Sequence, residues 1–265
     1  MVVAAPFALL IGTLLGLLGG GGSILTVPVF VYVLGIDAKS AIAMSLAVVG
    51  IASLIGGVTH WRNGNVHVRV ATLFGAAAMI GAYAGARLSV LLTGAQQMAL
   101  FAIVMLAAAL FMLRDRRPDS RREMQLRWQA VLIGVAAIGV GALTGLVGVG
   151  GGFMIVPTLV LLGGLEMKQA VGTSLPVIAL NSAVGFYGHV GHVEIAWAFI
   201  ALFTVLVTVG VLGGAKLMRY VPQQRLRQGF ALFLVVIGGL ILYQNRSVIG
   251  VAADGLTAVS EVTQN

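Results

Sequence analysis

Long apolar stretches alternate with short polar ones along almost the whole chain. They form two groups of five, at 3–19, 24–35, 39–60, 68–92 and 96–113, then at 130–148, 153–163, 168–189, 194–218 and 223–243. Most approach the roughly 20 residues that a helix needs to cross the hydrocarbon core of a bilayer. The pattern therefore predicts an all-α integral membrane protein with eight to ten membrane segments.

The second stretch of each group is too short to cross a bilayer upright. Stretches 24–35 and 153–163 have only 11 or 12 residues, which favours a half-length or re-entrant helix. Each contains a proline, Pro28 or Pro157. Proline removes one helix hydrogen bond and frees a carbonyl, so these residues either shape a functional break or simply end the short helix.

Composition supports a membrane protein and narrows its partners. Of the 265 residues, 59% are hydrophobic and 9% are charged, whereas a soluble domain carries about a quarter charged residues. The net charge of +8 comes from Lys and Arg in short loops, where they act as topology signals rather than as a nucleic-acid surface. Cysteine is absent, and His189 and His192, three positions apart, have no third ligand. No nucleic acid, metal or cofactor is therefore expected, only the lipid bilayer and a small solute.

The two groups of stretches repeat one another in sequence. Glycine-rich runs at 16–22 and 145–152 precede Pro28 and Pro157, which lie 129 positions apart. A shared offset over about 70 residues indicates a duplication. The same offset relates Ser45 to Ser174, Ser53 to Ser182, His60 to His189, and Gly85-Ala86-Arg87-Leu88 to Gly214-Ala215-Lys216-Leu217. The predicted organisation is a first repeat at 1–113, a basic linker at 114–128, a second repeat at 129–244 and a disordered polar tail at 245–265.

The distribution of basic residues distinguishes two arrangements of the repeats. Six Arg in 114–127 place the linker in the cytoplasm. If the first two stretches of each repeat form a hairpin or both span, the repeats are inverted, and only Lys39, Arg87 and Arg246 fall outside. If each pair is one broken spanning helix, the repeats are parallel and the basic loop 216–227 is forced outside. Inverted repeats, each a Gly-rich hairpin plus three spanning helices with both termini outside, are therefore favoured. Seven further basic residues then lie inside: Arg62, Arg69, Lys168, Lys216, Arg219, Arg225 and Arg227.

Both halves resemble the sulfite exporter TauE/SafE family. The resemblance rests on the Gly-rich segment, the proline after a short β-branched run, the Lys-Ser-Ala or Lys-Gln-Ala sequence and the Ser-containing helix that follows, and covers residues 8–243. It implies a membrane permease for sulfite, organosulfonates or related small anions. The Gly-rich runs 19–23 and 148–152 differ from each other, so the halves are expected to contribute unequally to a site.

The candidate binding residues surround the two Gly-rich runs. A helix that begins at Ile24 or Phe153 presents unpaired N–H groups and a positive dipole end, and two such ends at mid-membrane would bind an anion without a charged side chain. The alternatives are close helix packing by the glycines and interhelical hydrogen bonds by the hydroxyls. The candidates are Gly22, Ser23, Thr26, Pro28, Ser45, Gly151, Gly152, Pro157, Thr173, Ser174 and Asn181.

Four residues are candidates for gating or coupling. His60 and His189 end the third stretch of each half and could titrate near neutral pH, or they could be interfacial residues beside Trp61 and Tyr187. Arg87 and Lys216 could attract an anion to each mouth, or extend to lipid headgroups. Asp37 and Glu166 precede helices and are predicted to be caps or dipole partners. Since no Asp or Glu falls at the centre of a predicted span, a carboxylate relay is disfavoured.

The predicted function is a secondary or facilitative transporter of a small anion, acting by alternating access between inverted repeats in the inner cell membrane. An anion channel and a non-transporting membrane scaffold are the alternatives. An intramembrane enzyme is not expected, because the spans lack paired aspartates and nothing singles out a Ser-His pair. A homodimer is left open.

Overall fold

A computed structural model describes residues 4–88, 94–113, 126–147, 152–189 and 196–244. These residues form ten α-helices and no strand, which confirms the all-α prediction. The helices are α1 (Ala4–Leu18), α2 (Gly21–Pro28), α3 (Ala38–Arg62), α4 (Val68–Leu88), α5 (Gly94–Leu113), α6 (Leu126–Val147), α7 (Gly152–Leu161), α8 (Met167–His189), α9 (Trp197–Met218) and α10 (Gln223–Gln244). Most helix ends agree with the predicted stretches to within about four residues, and α2 reaches close to the predicted end at 35 only with the π-helical turn Val29–Val33 that follows it.

The outer surface of the bundle is apolar, as expected for a protein surrounded by lipid. Large side chains such as Leu54, Ile80, Leu110 and Leu232 are all more than half exposed. Within the described ranges, five helices are long and apolar enough to cross a membrane by length and composition: α3, α4, α8, α9 and α10. Shorter apolar segments lie between them, and α2 and α7 are the shortest helices.

The first two helices form a tight hairpin. Gly22, in the first turn of α2, packs so closely on α1 that a methyl group there would overlap the Ile11 carbonyl and lie 2.7 Å from the Leu15 Cβ. In one continuous helix, Gly22 would lie about 10 Å beyond Leu15, because each residue adds about 1.5 Å. The chain reverses at Gly19, which has a φ of +71°. The alternative of one broken spanning helix is therefore wrong for this half.

The helices continue past both prolines, so simple termination is wrong at each. A π-helical turn, Val29–Val33, extends α2, and the Leu34 N–H donates to the Val29 carbonyl at 3.1 Å. Pro157 lies inside α7. Packing explains the continuation after Pro28, because the fully buried Phe30 ring meets two α9 rings edge-on. Its centroid distances to Phe199 and Phe203 are 5.5 and 5.0 Å.

Glycines allow helices from different predicted repeats to pack in direct backbone contact. On α1, Gly12 lies against the Val207 carbonyl of α9, and on α6, Gly141 lies against the Ala78 carbonyl of α4. The two contacts are related by the offset of 129, since 12 corresponds to 141 and 207 to 78. Small residues permit this close approach of helices in a membrane bundle. The two predicted repeats therefore pack on one another through α1 and α9 and through α4 and α6.

Helices α3 and α8 cross antiparallel at the centre of the bundle. Methyl groups at Gly50 and Gly57 of α3 would lie 3.1 Å from the Ser182 Cβ and 3.2 Å from the Pro176 ring, and one at Gly185 would lie 3.2 Å from Leu46. Along these contacts the residue numbers rise on α3 as they fall on α8, so the two helices are antiparallel. Since α3 and α8 are counterparts under the duplication, each repeat supplies one half of this central pair.

Four connections meet at one end of the bundle, called here the basic end. The Arg219 guanidinium donates to the Asn63 side chain, and the Lys168 ammonium donates to the Arg219 carbonyl at 3.4 Å. The Arg227 Nε donates to the Met112 carbonyl at 2.6 Å. These bonds join the α3–α4 turn, the start of α8, the α9–α10 turn and the end of α5. Several basic residues that were predicted to share the cytoplasmic side thus share one end of the molecule.

Candidate functional site

The two short helices begin beside one another. A methyl group on Gly152, the first residue of α7, would lie 3.0 Å from the Cα of Gly20, which immediately precedes α2. The first N–H groups of a helix have no acceptor within the helix, and they form the positive end of its dipole. The structure therefore brings together two such ends, one from each predicted repeat. Gly151 lies outside the described residues.

The reversal at Gly19 contacts the second half directly. A methyl group on Gly19 would lie 2.7 Å from the Ser174 Oγ of α8 and 3.0 Å from Val156 of α7. Ser174 is seven residues into α8, about 10 Å from that helix's start. The predicted residues Ser174 and Gly152 therefore lie at the same break, inside the bundle rather than at its surface.

The predicted hydroxyls in this region are bonded to their own helices. Ser23 donates to the Gly20 carbonyl at 2.7 Å, and Thr26 to the Gly22 carbonyl at 3.2 Å. Ser174 donates to the Val171 carbonyl at 2.8 Å, and its counterpart Ser45 to the Ile42 carbonyl at 2.9 Å. An anion needs donors, so a hydroxyl would have to rotate away from its carbonyl to bind one. Most of the predicted residues are enclosed: Gly22, Ser23, Thr26, Ser45, Gly152, Pro157, Thr173 and Ser174 are buried, and Pro28 and Asn181 are half-buried.

Thr173 fastens a turn rather than facing the break. Its Oγ1 accepts a hydrogen bond from the His67 backbone N–H at 3.0 Å. At the adjacent Gly172, a methyl group would overlap the Asn65 carbonyl. These contacts hold the α3–α4 turn on the start of α8.

Replacing Thr173 by valine should lower the free energy of unfolding by about 1 kcal/mol, because the His67 N–H loses its acceptor while the side-chain shape is kept. Denaturant titration in detergent micelles measures the change. Thr173→Ser keeps the hydroxyl and deletes one buried methyl group, so its loss of about 0.8 kcal/mol should report packing alone. An unchanged unfolding midpoint for the valine variant would contradict the fastening role.

Unpartnered polar side chains lie on α3 and on the two helices that pack against it, α8 and α9. Five buried side-chain oxygens on these helices have no hydrogen-bond partner among the described residues: those of Ser53, Asn181, Ser182, Thr204 and Thr208. Gly56 of α3 packs on Val211 of α9, and both helices run toward the basic end, so Thr208 lies level with Ser53. Buried polar groups normally have partners. These five residues, called here the central polar cluster, therefore offer hydrogen-bonding groups that water or a polar solute could satisfy.

Of the central polar cluster, only Asn181 is among the binding residues that the sequence predicts. Ser53 and Ser182 carried a signal, because they are counterparts under the offset of 129. Thr204 and Thr208 lie four positions apart and so share one face of α9, but this spacing is common in packed helices and does not indicate a site. No local feature of the sequence shows that this face meets α3.

His60 lies in the last turn of α3 but is buried within the bundle. Its ring is fully buried, and Nε2 lies 3.1 Å from the Gly16 carbonyl of α1, whereas the neighbouring Trp61 is 63% exposed. A carbonyl only accepts, so Nε2 carries the proton, and Nδ1 has no partner among the described residues. The gating role of His60 stays a prediction. The side chain of His189 lies outside the described residues.

The remaining gating candidates are exposed, at opposite ends of the bundle. Arg87, near the end of α4, donates to the Tyr83 hydroxyl at 2.9 Å and lies 5.4 Å from that ring's centroid. Lys216, near the end of α9, is exposed toward the basic end. Of these two cations, one therefore lies near each end of the bundle. This placement agrees with attraction of an anion to each mouth and equally with contact to lipid headgroups.

The two acidic residues that precede helices differ in their contacts. The Asp37 carboxylate accepts from the Ser40 N–H at 3.4 Å, which confirms the predicted cap of α3. The Glu166 carboxylate lies at the start of α8 but accepts from the Gln223 side chain of α10 at 2.6 Å. Glu166 thus links α8 to α10 and also lies at the positive end of the α8 dipole.

Sequence comparisons identify the family. A family model described as "Sulfite exporter TauE/SafE" matches residues 4–241. A "probable membrane transporter protein" of Xylella fastidiosa is 30% identical over 241 residues, covering 89% of this chain and 92% of that protein. The "probable membrane transporter protein YdhB" of Bacillus subtilis is 25% identical over 240 residues, covering 88% and 97%.

An archaeal relative extends the same relationship. A "probable membrane transporter protein" of Methanocaldococcus jannaschii is 28% identical over 260 residues, covering 89% of this chain and 95% of that protein. No solved structure shows a significant match. The family match covers nearly the whole chain, and it agrees with the multi-pass helical bundle and the apolar outer surface. The protein therefore belongs to the sulfite exporter TauE/SafE family of membrane transporters.

Proposed function

We propose that the protein is a secondary or facilitative carrier of a small oxyanion, of the sulfite or organosulfonate class, in the inner cell membrane. The observation that carries the proposal is the close approach of the α2 and α7 N-termini at Gly20 and Gly152. The family description names sulfite, and the geometry at this break favours an anion of that kind.

The electrostatic support comes from backbone rather than side chains. Each helix N-terminus is equivalent to roughly +0.5 of an elementary charge, so two adjacent ends attract about one negative charge. The break lies inside the bundle, where a low dielectric strengthens this attraction. Among the described residues, the carboxylates Asp37 and Glu166 stand at helix starts, so neither opposes an anion at the break.

Inverted repeats supply the proposed mechanism. Corresponding contacts join α1 to α9 and α6 to α4, and the antiparallel pair α3 and α8 consists of counterparts. Two halves related in this way can exchange conformations around a fixed site, opening it alternately to each side. The central polar cluster lies where such an exchange would move α3 against α8 and α9, so its unpaired oxygens would line the path.

Counterflow in proteoliposomes tests the proposal. Vesicles that contain purified protein are loaded with unlabelled sulfite or taurine, and uptake of labelled substrate is followed. A carrier should show saturable uptake that internal substrate accelerates, because the loaded site reorients as part of its cycle. Uptake without acceleration would indicate a channel, and absence of flux for every anion tested would overturn the proposal in favour of a scaffold.

A single substitution tests the position of the site within the same assay. Ser174→Ala removes the hydroxyl beside the Gly19 break, and hydrogen bonds to charged groups are worth about 1.5–3 kcal/mol. Half-saturation should therefore rise about 10- to 100-fold. Thr144→Val is the control, since Thr144 on α6 also donates only to its own helix, at 2.7 Å from the Val140 carbonyl. Equal half-saturation in both variants would place the site elsewhere.

A further inference from the structure

An apolar groove opens on the outer surface near the basic end. It encloses about 270 Å³ between α3, α4 and α8, and its walls include Leu54, Val58, Trp61, Thr72, Pro176 and Leu180. Leu54, Trp61 and Leu180 are each more than half exposed, so the groove faces the surrounding bilayer rather than the interior. A cavity of this kind is filled by hydrocarbon when the protein is in a membrane.

Two arginines lie at the rim of this groove toward the basic end. Arg62 is four residues after Val58 on α3, so it shares that wall's helical face one turn nearer the end. Arg69 is three residues before Thr72 on α4, which places it on the same face at the same end. Both arginines are exposed. The groove is therefore apolar along its length and cationic at one mouth.

No carboxylate neutralises these two cations from their own helices. Neither Asp nor Glu occurs between Asp37 and Asp115 in the sequence. Among the described residues, neither the Arg62 nor the Arg69 guanidinium has a hydrogen bond or ion pair, and the Glu166 carboxylate at the same end accepts from Gln223. Trp61 adds an amphipathic ring at the same level, where tryptophan prefers the membrane interface.

The duplication does not reproduce this rim in the second half. The second-half loop is two residues shorter and aligns Gly64 with Gly191, so Arg62 has no counterpart there, and the same alignment pairs Arg69 with Ala196. The pair Arg62 and Arg69 is therefore a feature of the first half of the sequence. Under the predicted topology, the basic end faces the cytoplasmic leaflet, which carries anionic lipids.

We infer that this groove is a binding site for an anionic phospholipid. One acyl chain lies along Leu54, Val58 and Leu180, and the phosphate of the headgroup meets Arg62 and Arg69 beside Trp61. Arginine suits this contact because its guanidinium can donate two hydrogen bonds to one phosphate. The site is independent of what the protein transports.

Native mass spectrometry of the purified chain with added lipid tests the inference. The parent protein should retain phosphatidylglycerol in preference to phosphatidylcholine. Each cation near a membrane surface contributes about fivefold to anionic-lipid binding, so Arg62→Gln with Arg69→Gln should lower that preference about 25-fold. Arg225→Gln, at an exposed arginine of the same end on α10, should leave it unchanged.

A second variant tests the groove itself. Thr72→Phe places a ring in the groove from its exposed side and should release both lipids equally, with thermal stability retained in detergent. Soluble glycerophosphate should not displace the lipid. Equal retention of both lipids by the parent protein, an unchanged preference in the double variant, retained lipid in Thr72→Phe, or displacement by glycerophosphate would each overturn the inference.

Discussion

Replacing Gly214 by valine should prevent stable folding. Gly214 lies on the face of α9 that meets α1, where a methyl group would overlap the Thr13 carbonyl and lie 3.0 Å from the Leu17 nitrogen. Backbone cannot move aside by changing a rotamer, so the two helices would have to separate. Overpacking of a core costs about 1–3 kcal/mol and occasionally more, and a clash with backbone belongs at the upper end.

The adjacent Gly213 provides a matched control on the same helix. It is exposed, and a methyl group there would meet no atom within 4 Å. Both substitutions change helix propensity equally, so the difference between them isolates the contact with α1. Size-exclusion profiles and thermal unfolding in detergent measure it: Gly213→Val should behave as the parent protein. Similar melting temperatures for the two variants would contradict the close packing of α1 on α9.

The counterpart of this contact extends the expectation to the other half. Gly85 on α4 occupies the position that corresponds to Gly214, and a methyl group there would overlap the Ala142 carbonyl of α6. Gly85→Val should therefore lower stability to a similar degree. The two sites are far enough apart in the chain that each tests its own helix pair.

Replacing Gly19 by alanine should reduce transport strongly while lowering the stability of the protein only modestly. Its φ of +71° costs a residue with a side chain about 1–2 kcal/mol. The added methyl group would also lie 2.7 Å from the Ser174 Oγ, so either the serine or the α1–α2 turn must shift. The proposed anion site is formed at this break, so the shift should weaken the stabilisation of the bound anion by about 1.4 kcal/mol or more. Counterflow should then fall at least about tenfold.

Gly35→Ala is the control that distinguishes backbone strain from an effect on the anion site. Its φ is +67°, close to that of Gly19, but a methyl group there would meet nothing within 4 Å. Gly35→Ala should therefore show a similar loss of stability and near-normal counterflow per folded molecule. Equal counterflow in the two variants, after correction for folded protein, would show that the break at Gly19 does not form the site.

The candidate site was predictable as a pair of breaks but not as a set of contacts. Glycine runs before Pro28 and Pro157 indicated where helices would begin, since glycine clusters and short apolar lengths are local properties. That Gly20 meets Gly152, and that Gly19 meets Ser174, depends on residues more than 100 positions apart. Thr173 illustrates the limit: it was chosen for its hydroxyl, but it accepts a hydrogen bond from the turn that contains His67.

The sequence by itself determined the membrane class, the helix positions and the duplication, because apolar length and a repeated offset require no knowledge of neighbours. The tertiary structure decided which helices the small-residue pairs join, that α2 folds back on α1 and that His60 is buried. It also located the central polar cluster and the cationic groove. Each of these features depends on which helix faces contact one another across the two predicted repeats. Helical periodicity shows which face of a helix a residue lies on, but not which other helix that face contacts.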